Sequence, residues 1–106
     1  MRIHTDDNGV YVNAISQLSD GTNVEGRLYQ IAAGPKIWHL DFQKGDPKVE
    51  VNGLTNECLL AILKHRLEFL NREVPCDENV GALKNINMAI EWLNLRVKIR
   101  AANDPT

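Results

Sequence analysis

Up to about residue 53, apolar positions come in short runs broken by turn residues; beyond it they recur at steps of three and four. The first half contains "GVYVNAISQ", "EGRLYQIAA", "KIWHLDFQ" and "PKVEVNG", separated by "SDGTN", "AGP" and "KGDP". β-prone runs with this punctuation predict about four short antiparallel strands, arranged as a meander. In "IWHLDFQ", Ile37, His39, Asp41 and Gln43 alternate with Trp38, Leu40 and Phe42, so one strand face is apolar.

The second half predicts an antiparallel two-helix hairpin. Thr55 suits an N-cap, with Leu54 placed to staple onto Leu59. Leu59, Ile62, Leu63, Leu67 and Leu70 then form one stripe, giving a first helix from about Asn56 to Arg72 that Pro75 halts. Asp77 and Glu78 place negative charge where the second helix begins, as the helix dipole favours. That helix, expected over Glu78 to Ala101, carries two apolar faces. Leu83, Ile86, Ile90, Leu93 and Val97 make one; Met88, Trp92, Leu95 and Ile99 make the other. One face serves the hairpin, and the other must meet the sheet or a second copy of the chain.

The expected fold is therefore α+β: an antiparallel sheet over residues 1–53, a helical hairpin over 54–106, together one compact domain, and at least a homodimer. The 106 residues suit one modest core. A net charge of -2 argues against a protein that coats nucleic acid polymers, which requires a broad basic surface. Arg96, Lys98 and Arg100 nonetheless form a local cationic patch, with no acid between Glu91 and Asp104.

Cys58 and Cys76 lack zinc-finger spacing and read as two reduced, buried thiols, leaving no metal site and no disulfide framework. No signal peptide and no membrane-length apolar run is apparent, which points to a reducing cytoplasm.

Phosphate-binding glycine loops, nucleophile elbows and HExxH helices are all absent, and no cofactor is implied. His39 with Asp41 on a strand, and His65 with Glu68 or Glu57 on the first helix, are the general-base candidates for a hydrolase. His39 and Asp41 share a strand face, so a base with its orienting carboxylate is geometrically conceivable, and the plainer reading is two solvent-facing polar residues. His65 lies off the apolar stripe and reads as a surface residue.

The inter-helix stretch "FLNREVPCDEN" is richer than a connector needs. Phe69 lies one residue off the stripe, Arg72 one turn further on, and Asn79 opens the next helix after the chain reverses. An aromatic face for a base, an amide for a base edge and a guanidinium for a phosphate would make a nucleotide-recognition set. Phe69 as peripheral core, Arg72 as a dipole partner and Asn79 as a first-turn polar residue is the structural alternative. Arg96 lies about 25 Å from Asn79 at roughly 1.5 Å per residue, and joins the set only from a neighbouring subunit or belongs to another pocket.

The stretch "GLTNECLLAILKHRLEFLNREVPCDENVGALKNINMAIEWLNLRVKIR" resembles the helical hairpin domain of phage sponge proteins that counter cyclic-nucleotide immune signalling. With "FQKGDPKVEVNGLTNE" before it, the chain is similar to the first class of the Thoeris anti-defence protein family. The pieces "GLTNE", "RLEF", "CDEN" and "WLNLR" carry the likeness, which covers about half the chain. The resemblance implies dimers, some of which trimerise into hexamers, whose pocket sequesters glycocyclic ADP-ribose without hydrolysis in the host bacterial cytoplasm. It assigns base stacking to Phe69, the pocket amide to Asn79, and arginine contacts to Arg72 and Arg96. Cyclic trinucleotides of the CBASS system are a second ligand class in some relatives. A cyclic-nucleotide hydrolase using His39 and Asp41, or a purely structural phage oligomer, are the rival readings. Relatives often carry Arg before the Glu-Asn pair and Ala after it; here Asp77 and Val80-Gly81 stand there.

Overall fold

The computed structural model describes residues 1–102 and divides into two compact units, Met1–Thr55 and Asn56 onward. The last four residues of the expected hairpin span, 103–106, lie outside the described residues, Asp104 among them.

The first unit is a four-stranded antiparallel sheet in the order β1 (Arg2–Thr5), β2 (Tyr11–Gln17), β3 (Asn23–Ala33), β4 (Lys36–Asp41). The meander is as expected, but its strands are not all the expected ones. Arg2–Thr5 is an edge strand that the pattern missed, because Ile3 is its only apolar residue and is itself half exposed. Residues 47–53, expected as a strand, form a loop instead.

Hydrogen bonds explain that correction. Asp46 accepts the N–H groups of Lys48, through its side chain, and of Val49 and Glu50, through its carbonyl, coiling the segment into a turn. Gln43 and Asn52 then clamp the loop. The Asn52 N–H donates to Gln43 Oε1 at 3.0 Å, and the Lys44 N–H donates to Asn52 Oδ1 at 2.8 Å. Val49 and Val51, left 86% and 78% exposed, have no apolar surface to alternate against.

Register assigns the sheet faces. Val12, Ile31 and Trp38 form one cross-strand row, flanked by Ala14, Tyr29 and Leu40, and Tyr29 meets Phe42 edge-on with ring centres 5.6 Å apart. The opposite face carries a polar row, Asn13, Gln30 and His39, in which the Asn13 amide donates to Gln30 Oε1 at 3.4 Å. Only Val24 and Ala32 are buried among the described residues. Trp38 remains 52% exposed on the apolar face.

In the second unit, α1 (Asn56–Glu73) and α2 (Asp77–Ala102) pack along each other. Both boundaries lie within a residue of expectation. The seam takes Leu59, Leu67 and Leu70 from α1 and Leu83, Ile86, Ile90 and Leu93 from α2, all half-buried. Ile62 departs from the predicted stripe: it is 58% exposed and turns away from the seam. Leu63 is 42% exposed, and Val97, 52% exposed, lies on the part of α2 that outruns the shorter α1. Met88, Trp92, Leu95 and Ile99, the second apolar face of α2, stand 51%, 68%, 44% and 51% exposed.

Candidate functional site

Three residues separate the helices, and the geometry that reverses the chain there is a network of local hydrogen bonds. Val74 still donates to the Leu70 carbonyl at 2.9 Å as the last turn of α1 closes. Pro75 then lacks an N–H to continue the ladder. Asn71 Oδ1 accepts the Cys76 N–H at 3.1 Å, and Cys76 Sγ accepts the Asn79 N–H at 3.4 Å. Cys76 therefore occupies the N-cap of α2, with its thiol in the role usually filled by a serine or aspartate oxygen. Asn71 and Cys76 thus fix the first turn of α2, and with it the position of Asn79.

The cysteines correct one expectation. Neither forms a disulfide, but Cys58 is exposed and Cys76 only half-buried, so they are not a pair of core thiols. Among the described residues no cluster of His, Cys, Asp or Glu could hold a metal ion.

Phe69 and Arg72 come together. The Arg72 guanidinium carbon lies 6.0 Å from the centre of the Phe69 ring, at the limit of a cation–π contact, as the three-residue spacing on one helix face allows. The ring is 43% exposed and closes one end of an open groove of about 610 Å³ that Ala61, Ile62, His65 and Arg66 also line. These positions follow one another at alternating steps of one and three along α1, on the side turned away from the seam. The groove thus combines an aromatic surface, a permanent cation and an imidazole, and no carboxylate among the described residues lines it.

Asn79 and Arg96 are placed elsewhere. Asn79 is half-buried among the residues of α2 that face α1, whereas Phe69 faces away from α2, so one hairpin does not put the carboxamide on the ring's side. Arg96 is exposed seventeen residues further along α2, about 25 Å at the helical rise, and follows Trp92 by one turn beside the second apolar face. Enclosing all four groups in one pocket requires more than one hairpin.

His39 stands opposite Gln30 and Asp41 opposite Leu28, both exposed on the sheet face that also carries Tyr11, Ile15, Ala32 and Ile37. They share a face as their spacing demands. The apolar stripe marks His65 only as a surface residue and singles out nothing at Arg66; the signal that could have put both on the groove is their four- and three-residue spacing from Phe69.

Residues 39–98 match the family model for the Acb2/Tad1 hairpin domain, a span covering the end of β4, the clamped loop and nearly all of both helices. The chain is also 40% identical over 68 residues to a protein named Thoeris anti-defense 1 from Bacillus phage SBSphiJ7. That match covers 61% of this chain but 47% of the relative, so the chain spans about half the length of the curated protein it matches.

Proposed function

We propose that this chain, which belongs to the Acb2/Tad1 hairpin domain family, is a phage anti-defence sponge that binds a cyclic ADP-ribose isomer, glycocyclic ADP-ribose, and withholds it from Thoeris signalling without cleaving it. The observation that carries the reading is the Phe69–Arg72 pair beside a groove that Phe69 helps to line and that no acid among the described residues lines, within the matched hairpin. An exposed ring accepts a nucleobase by stacking, worth about 1–3 kcal/mol. A guanidinium beside it supplies a charge-assisted hydrogen bond to a pyrophosphate, worth about 1.5–3 kcal/mol.

The complete pocket is formed between copies of the chain. Asn79 and Arg96 reach the ligand from a second hairpin, which the separation of these residues from Phe69 within one hairpin supports. The uncovered Met88–Trp92–Leu95–Ile99 face supplies apolar area for that pairing. Dimers, or trimers of dimers, are the proposed assemblies. CBASS cyclic oligonucleotides are proposed as a second ligand class at separate sites. The protein acts in the host bacterial cytoplasm; no helix among the described residues is long and apolar enough to cross a membrane.

The deciding experiment is to incubate glycocyclic ADP-ribose with the protein, confirm by calorimetry that it binds, heat-denature the mixture and analyse the released ligand. Intact messenger is the expected result. A cleaved product would instead favour hydrolysis by His39 and Asp41, and no binding of this or any cyclic trinucleotide would favour a purely structural role.

A further inference from the structure

Resting on the sponge reading, we propose that His65 and Arg66 form a phosphate clamp on the far side of Phe69 from Arg72, so that an anionic nucleotide is held by cations at both ends of the stacking ring. Among the described residues, the groove between Ala61 and Phe69 is lined by Ala61, Ile62, His65, Arg66 and Phe69. Its chemistry is that of a nucleotide site: an aromatic ring for the base, apolar Ala61 and Ile62 beside it, and two groups able to donate to phosphate oxygens.

Helical geometry distributes these groups around the ring. His65 precedes Phe69 by four residues and Arg66 by three, so at roughly 100° per residue they flank it on either side, one turn toward the start of α1. Arg72 follows by three residues and reaches back to the ring at 6.0 Å. Because helical side chains lean toward the N-terminus, Phe69 lies over the His65–Arg66 pair while Arg72 lies over Phe69. The stacked base therefore sits between two cationic steps, and the pyrophosphate runs toward the His65–Arg66 end, where the open groove of about 610 Å³ gives it room. Charge complementarity fixes the ligand class. Glu68, next to Phe69, and Glu73, four residues beyond it, are exposed, and neither is among the described residues that line the groove.

The test is calorimetry of the full chain with glycocyclic ADP-ribose, comparing wild type with Arg66→Gln, His65→Gln and, as a charge control on the other helix, Lys84→Gln. All three positions bar His65's imidazole lose one formal charge, and all are exposed, so the fold survives; unchanged melting curves verify this. Loss of a charge-assisted contact predicts an affinity about ten- to hundred-fold lower for Arg66→Gln and a smaller loss for His65→Gln, with Lys84→Gln at the wild-type value. The salt dependence of binding should also be shallower for Arg66→Gln than for wild type. Wild type that binds with Arg66→Gln and His65→Gln equal to it overturns the clamp alone. Wild type that binds no messenger overturns the sponge reading, and the clamp with it.

Discussion

Arg72 holds its guanidinium carbon 6.0 Å from the centre of the Phe69 ring, two side chains one helical turn apart on the face of α1 that its partner helix leaves uncovered. At that distance on an exposed surface the pair contributes at most about 0.5–1 kcal/mol, too little to explain an exposed aromatic as a structural element. The ring is better placed to receive a ligand than to stabilise the hairpin. Phe69→Ala should therefore lower affinity for glycocyclic ADP-ribose by at least about tenfold, the loss of one base stack, and leave the melting temperature within a degree or two. Calorimetry beside thermal denaturation reads both quantities; unchanged affinity would remove the stacking role.

The Cys76 thiol as N-cap yields a stability prediction independent of ligand. A serine hydroxyl is a stronger acceptor for the Asn79 N–H than sulfur and a preferred N-cap, so Cys76→Ser should keep or raise stability. Cys76→Ala, which removes the acceptor, should cost about 0.5–1 kcal/mol. Asn71→Ala should cost about 1 kcal/mol by orphaning the half-buried Cys76 N–H. Chemical denaturation of the three variants gives the order, and a Cys76→Ser protein less stable than Cys76→Ala would refute the capping role.

How far the sequence disclosed this arrangement follows from which signals were periodic. The helix ends were legible because Pro75, Asp77 and Glu78 punctuate them, and the seam of α2 because its four- and three-residue steps are regular. Ile62 was misassigned because it satisfies the same spacing rule while lying on the groove side, and burial alone separates the two. The sheet was legible as a meander but not strand by strand. "PKVEVNG" alternates like a strand, yet the Gln43–Asn52 clamp, a contact between residues nine apart, overrides it. β1 failed for the opposite reason: its pairing with β2 comes from main-chain bonds that its side chains do not announce. In the candidate site, Phe69 and Arg72 were found together because the spacing rule acts within one helix. Asn79's facing depended on packing that no local pattern encodes.

The uncovered face of α2 predicts the state of assembly. Trp92, at 68% exposed, is the largest side chain on a face that also holds Met88, Leu95 and Ile99, and covering such a ring gains a few kcal/mol. Light scattering at micromolar concentration should report at least a dimer for wild type, and Trp92→Lys, which places a charge at the centre of that face, should shift the mass toward monomer. The same variant should lose messenger affinity, because Asn79 and Arg96 then no longer arrive from a second hairpin. A wild-type monomer, or a Trp92→Lys protein of unchanged mass, would count against a pocket shared between copies.

Two glycines in the matched region predict opposite outcomes from one substitution. Gly81 lies inside α2, and a Cβ built there meets nothing within 4 Å, so Gly81→Ala gains the helix preference of alanine without any clash. That difference is about 1 kcal/mol, or several degrees of melting temperature in a domain of this size. Gly53 is the reverse case. A Cβ there would stand 2.5 Å from the Phe42 carbonyl carbon and 2.8 Å from the Asp41 oxygen. Those are main-chain atoms, and the same strand end is pinned by the Leu54 N–H donating to Asp41 at 2.8 Å and the Gln43 N–H donating to Leu54 at 2.7 Å. Relief must come from moving backbone, which breaks that pairing, so Gly53→Ala should destabilise by about 1–3 kcal/mol. Thermal denaturation of both variants tests the contrast, and because the Phe42–Leu54 bridge lies in the sheet unit, the Gly53→Ala loss should appear in amide exchange of β4 and the clamped loop while α2 keeps its protection.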